Sequence, residues 1–70
     1  MQAQLQVILN GEAREVADGT TVADLLIALG LGEARVAVER NKRIVSSPAR
    51  PTERLAQGDC LEIVTFVGGG

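Results

Sequence analysis

The chain has no histidine, no tryptophan and no tyrosine, and only one phenylalanine and one cysteine. Without histidine, Cys/His and Ser/His nucleophile pairs are excluded, as is any zinc site that uses an imidazole. One cysteine, Cys60, excludes an internal disulfide and a cluster of thiolate ligands, so nothing points to an oxidising compartment. The missing aromatics remove the platforms on which nucleic-acid bases stack. Positive charge is also in deficit: the net charge is −2 and the pI about 4.9. That sign opposes non-specific attachment to phosphate backbones or anionic lipid. No apolar run approaches the roughly 20 residues that span a bilayer, and no charged segment followed by an apolar one opens the chain as a secretory leader would. These absences predict a cytoplasmic protein that binds neither nucleic acid, nor membrane, nor metal.

What is present is aliphatic. Hydrophobic residues make up 46% of the 70 positions, too many for a disordered chain and enough for the core of one small domain. A chain of this length buries only about 60% of the surface its unfolded form exposes, which leaves little room for a deep catalytic pocket.

The opening stretch "QLQVILNGEAREV" reads as a hairpin. Leu5, Val7 and Leu9 alternate with Gln4, Gln6 and Ile8, and Asn10-Gly11 is the dipeptide preferred in tight hairpin turns because both residues tolerate positive φ. In "TVADLLIALG", Val22, Leu25, Leu26 and Leu29 recur at helical spacing. Thr21 is placed to cap this helix, with Asp24 at the capping-box position, Gly30 to close it and Leu31 to fold back on its last turn. Val36 and Val38 mark a third strand, Asn41-Lys42 a tight turn, and Arg43 to Val45 a short strand. The polar stretch after it carries both prolines, Pro48 and Pro51, and reads as loop, with one helical turn expected near Thr52 to Leu55. After a turn at Gly58-Asp59, Cys60 to Phe66 forms the last strand, with Leu61 and Ile63 facing inward. This order predicts an α+β fold of the ubiquitin-like β-grasp type, a mixed sheet of four to five strands crossed by one helix.

Few side chains offer chemistry. "GLGEAR" lacks a third glycine and comes after a helix, so it is no dinucleotide loop. Asp59 and Glu62 are expected to be surface charge, and Cys60 a small apolar strand residue. Five of the seven basic residues (Arg40, Lys42, Arg43, Arg50 and Arg54) fall in one stretch. They read as a solvated face, with a docking face for an acidic partner as the alternative.

The tail "TFVGGG" is the exception. Glycine has no Cβ, so Gly68, Gly69 and Gly70 can lie extended in a channel too narrow for side chains. Three extended residues reach about 10 Å, far enough to carry a terminal carboxylate into another enzyme's active site. Residues 1–67 are then the domain and 68–70 a flexible tail. A docking surface beside the tail is expected to use Val64, Phe66 and Ile8, unless Phe66 packs into the end of the sheet instead.

The stretches "LNGEAREVADGTTVADLLIALGL", "RVAVERNKRIVSSP" and "LAQGDCLEIVTFVGGG" together resemble the ThiS family, the small sulfur carriers of thiamin biosynthesis. The resemblance covers nearly the whole chain. It implies a β-grasp carrier that is not itself an enzyme. Gly69 and Gly70 match the family's terminal Gly-Gly, with Gly70 the modified residue, and Gly68 lengthens the arm. The resemblance implies three partners: an E1-like adenylating enzyme of the ThiF type, a sulfur donor such as a cysteine desulfurase, and a thiazole synthase of the ThiG type. ATP and magnesium would be used by the adenylating enzyme, and the chain itself would bind no cofactor. A sulfur carrier for another pathway, such as molybdopterin synthesis, and a ubiquitin-like protein modifier share the same Gly-Gly logic and stand as alternatives.

Overall fold

The computed structural model describes residues 3–66. The strands are β1 (Gln4–Leu9), β2 (Glu12–Ala17), β3 (Val36–Arg40), β4 (Arg43–Ile44) and β5 (Cys60–Thr65); the helix α1 is Val22–Ala28, and a short 3₁₀ turn covers Ser47–Ala49. They form one five-stranded sheet in the order β2-β1-β5-β3-β4. At its centre β1 and β5 run parallel, and the other pairs are antiparallel. This is the mixed sheet with one helix that the β-grasp order predicts.

The alternation of each strand decides what the sheet buries. Val7 and Leu9 of β1, Val36 and Val38 of β3, and Leu61 and Ile63 of β5 are all buried, and Val22, Leu25 and Leu26 of α1 pack with them. Val45 and Leu55 complete the core from the connecting segments. Among the described residues, the opposite sheet face carries no helix.

The helix has seven residues, too few to persist alone, so its ends must be satisfied by the rest of the fold. The Asp24 N–H donates to Thr21 Oγ1 and the Thr21 N–H donates to Asp24 Oδ2, which is a complete capping box. The Val22 and Ala23 N–H groups donate to the carbonyls of Glu53 and Arg50. The loop thus caps the first turn. At the other end Gly30 takes φ +77°. Its N–H donates to Ile27 O and that of Leu31 donates to Leu26 O, the Schellman pattern, with Leu31 packed against the core.

One expectation fails. The helical turn expected near Thr52 to Leu55 lies earlier, at Ser47–Ala49. Pro48 sits in its first positions, where a fixed φ is an advantage and the missing N–H costs nothing. Arg54 instead forms a bridge with Thr21, and Leu55 is buried with its N–H donating to Thr20 O.

Both hairpin turns use left-handed backbone. Asn10 and Gly11 have φ +49° and +84°, and Asn41 and Lys42 have +52° and +70°. Lys42 carries a Cβ in a conformation that asparagine and glycine tolerate better. Replacing Lys42 by Gly should therefore raise stability by about 0.5–1 kcal/mol, read as an upward shift of the urea midpoint with no change in m-value.

Candidate functional site

The site predicted from sequence is the end of β5 together with the glycine tail. Gly68, Gly69 and Gly70, and the boundary after residue 67, lie outside the described residues. What the structure defines is the strand that carries them.

β5 is held on both sides. Toward β3 it pairs from Leu61 with Arg40 to Thr65 with Val36, and the Phe66 N–H donates to Arg35 O at 3.0 Å. Toward β1 the strand pairing covers only Cys60 and Leu61. Beyond that point the side chain of Asn10 takes over: its Oδ1 accepts from the Ile63 N–H at 2.8 Å and its Nδ2 donates to Ile63 O at 3.2 Å. The turn residue thus imitates one more residue of strand. β5 then runs on past the hairpin.

The start of β5 is fixed by a polar cluster. Asp59 is buried, and its carboxylate accepts from Arg40 Nε at 2.7 Å, Asn41 Nδ2 at 3.0 Å and the Ala56 N–H at 2.7 Å. Arg40 also donates to Glu53 at 2.9 Å, and Asn41 Oδ1 accepts from the Cys60 N–H. Burial pushes the Asp59 carboxyl up, but Asn41, the Ala56 N–H and Arg40 together outweigh it and hold the group below the usual carboxylate value. Burial opposes the charge of Arg40 as well, and its two carboxylate partners more than restore it.

This corrects two expectations. Asp59 is not surface charge, although Glu62 is exposed, and Arg40 is not part of a solvated basic face. Asp59 and Arg40 are 19 positions apart and meet only because β3 and β5 are neighbours. No local pattern could have shown it; the one signal was an acid placed just before an apolar strand.

Ile8, Val64 and Phe66 are 37%, 57% and 61% exposed. Phe66 therefore does not pack into the sheet end. Ile8 and Val64 lie on the helix-free face, whereas Phe66, just past the end of β5, lines a concavity with Arg35, Val36, Ser47 and Arg50. They do not form one patch: Ile8 is opposite Cys60, four residues from Val64 along β5, or about 13 Å, and Glu62 lies between. Val64 and Phe66 are the pair nearest the tail. Cys60 is exposed rather than packed. Among the described residues, no three His, Cys, Asp or Glu side chains are placed to hold a metal ion, and no helix is long and apolar enough to cross a membrane.

The sequence model of the ThiS family matches residues 7–70. The chain belongs to the ThiS family. Among ThiS relatives, the sulfur carrier protein ThiS of Bacillus subtilis is 41% identical over 63 residues, covering 89% of this chain and 96% of that protein. The thiazole synthases of Magnetococcus marinus and Paramagnetospirillum magneticum are each 42% identical over 66 residues, 94% of this chain. The chain spans only 20% of the length of those two proteins. The crystal structure of the thiamine biosynthesis protein ThiS from Geobacter metallireducens superposes with a TM-score of 0.79 at 32% identity, covering 94% of this chain and all of that one.

The charge cluster sets the acid sensitivity of the fold. Asp59 titrates lower when folded than when unfolded, so its contribution is complete above the unfolded value of about 3.9 and is lost as pH falls from there through the folded value. Asp59→Asn should cost about 3 kcal/mol at neutral pH, the low end for breaking a buried pair because Arg40 is partly solvated. Its stability should also fall less steeply than the wild type's below about pH 4. Urea unfolding at several pH values checks both expectations, and parallel curves for the two proteins would contradict the assignment.

Proposed function

We propose that the chain is a sulfur carrier of thiamin biosynthesis, a substrate of other enzymes and not a catalyst. The observation that carries this reading is the match to the ThiS family through the last glycines, joined to 41% identity with a carrier of nearly the same length from Bacillus subtilis.

The chemistry is that of the end group. A carboxylate is a poor electrophile. Attack of the Gly70 carboxylate on ATP, with loss of pyrophosphate, makes an acyl-adenylate with a good leaving group. The terminal sulfur of a donor persulfide then displaces AMP to give an acyl disulfide. A thiol reductant cleaves its S–S bond, releasing the thiocarboxylate and leaving a disulfide on the donor side. The adenylating enzyme, of the E1-like ThiF type, supplies nucleotide, magnesium and stabilisation of the developing charge. The carrier supplies the carboxylate and a surface to recognise. A cysteine desulfurase is the kind of donor that provides the sulfur. The acceptor is a thiazole synthase of the ThiG type; the likeness of this chain to part of two thiazole synthases supports that pairing.

Incubation with soluble host extract, ATP, magnesium and cysteine should shift the intact mass by the difference between sulfur and oxygen, and deletion of Gly70 should abolish the shift. An unchanged mass, with the extract proven on a known carrier, would count against the reading. Attachment to lysines of other proteins would favour a modifier. Gly69→Val should keep the wild-type urea midpoint but lower adenylation at least about a hundredfold, since a branched side chain does not enter a channel shaped for glycine. Adenylation at the wild-type rate would exclude threading.

A further inference from the structure

We propose that the concavity at the root of the tail receives a carboxylate side chain of the activating enzyme. The inference rests on the carrier reading and deepens it by naming where the enzyme is recognised.

Distance limits where that enzyme can sit. Residues 67–70 separate Phe66 from Gly70 and reach about 13 Å when extended. Any enzyme that holds Gly70 must therefore lie against the Phe66 end of the domain. A concavity of about 380 Å³ opens there, lined by Arg35, Ser47, Arg50 and Phe66 among others. It sits beside the last described backbone bond, from the Phe66 N–H to Arg35 O.

The charges of this concavity are unbalanced. Arg40 is neutralised by Asp59 and Glu53. Arg35 and Arg50 take part in no ion pair among the described residues, although acidic residues outnumber basic ones by nine to seven. Arg50 is also held in place. Its Nη2 donates to Val36 O at 2.9 Å, while its Nε is buried with no hydrogen-bond partner among the described residues. A buried donor without an acceptor is costly. With Nη2 anchored and Nε closed to solvent, Nη1 is the nitrogen of Arg50 left open to an outside acceptor, and a carboxylate is an acceptor that suits a guanidinium. Phosphate would match it too, but a nucleotide acting on Gly70 sits at the far end of the tail. The root faces protein. The basic stretch of the sequence thus divides: Arg40 serves the fold, and Arg50 joins Arg35, from outside that stretch, to face the partner.

Arg35 is exposed, so its replacement tests the surface without disturbing the core. Adenylation should be measured with the purified activating enzyme of the same host over a range of carrier concentrations and ionic strengths. Arg35→Glu should raise KM about tenfold with kcat unchanged, and its kcat/KM should fall less with added salt than the wild type's. Arg35→Lys keeps the charge and should hold KM within about threefold of wild type. An Arg35→Glu protein with wild-type KM and salt dependence overturns the proposal, as does a loss confined to kcat. If the wild-type chain itself is not adenylated, the carrier reading falls and the assigned occupant falls with it.

Discussion

The fold turns on the buried carboxylate of Asp59. Arg40 from β3, Asn41 from the turn after it and the Ala56 N–H from the last loop all converge on this one group. Glu53 joins through Arg40. The cluster ties two separate stretches of chain, 40–41 and 53–56, to the residue that immediately precedes β5. Its strength comes from partial withdrawal from water, where each charge depends on the others and the loss of one leaves the rest unpaired. A domain of 70 residues holds only about 4 to 10 kcal/mol of net stability, so a cluster of this kind is a large share of it.

Two asparagines extend the same control along the strand. Asn41 grips β5 at Cys60 from the β3 side, and Asn10 grips it at Ile63 from the β1 side. Each sits in a left-handed turn, a conformation asparagine tolerates, and each turns its amide onto backbone that would otherwise lack a partner. Together with the strand pairs to β3 they hold β5 as far as Phe66.

The molecule divides its surfaces accordingly. The helix side of the sheet is devoted to the aliphatic core, and the loop that carries both prolines serves to cap the helix. Polar clusters hold the central strand. On the helix-free face Val64 stays exposed, and at the Phe66 end Arg35, Arg50 and Phe66 line one concavity; these are the surfaces on which the proposed recognition would draw. A carrier needs no deep pocket of its own, and a chain of this size has little material to build one.

Local physics makes most of the architecture readable in the residues. The alternation in β1, β3 and β5, the helical spacing of Val22, Leu25, Leu26 and Leu29, the Thr21 and Gly30 caps and the Asn10-Gly11 turn are all short-range properties of neighbouring residues. The narrowness of the glycine tail is a residue-level property too, since a missing Cβ belongs to the residue itself. Residues 68–70 lie outside the described residues, however, and their role belongs to the proposed function. The place of the 3₁₀ turn is not, because the alternatives differ little locally and tertiary contacts choose between them. Burial of Asp59, the paired state of Arg40, the grip of Asn10 on Ile63 and the exposure of Phe66 belong to the tertiary structure alone. Each depends on residues far apart in sequence becoming neighbours in the sheet, and no spacing along the chain encodes which charges will find one another there.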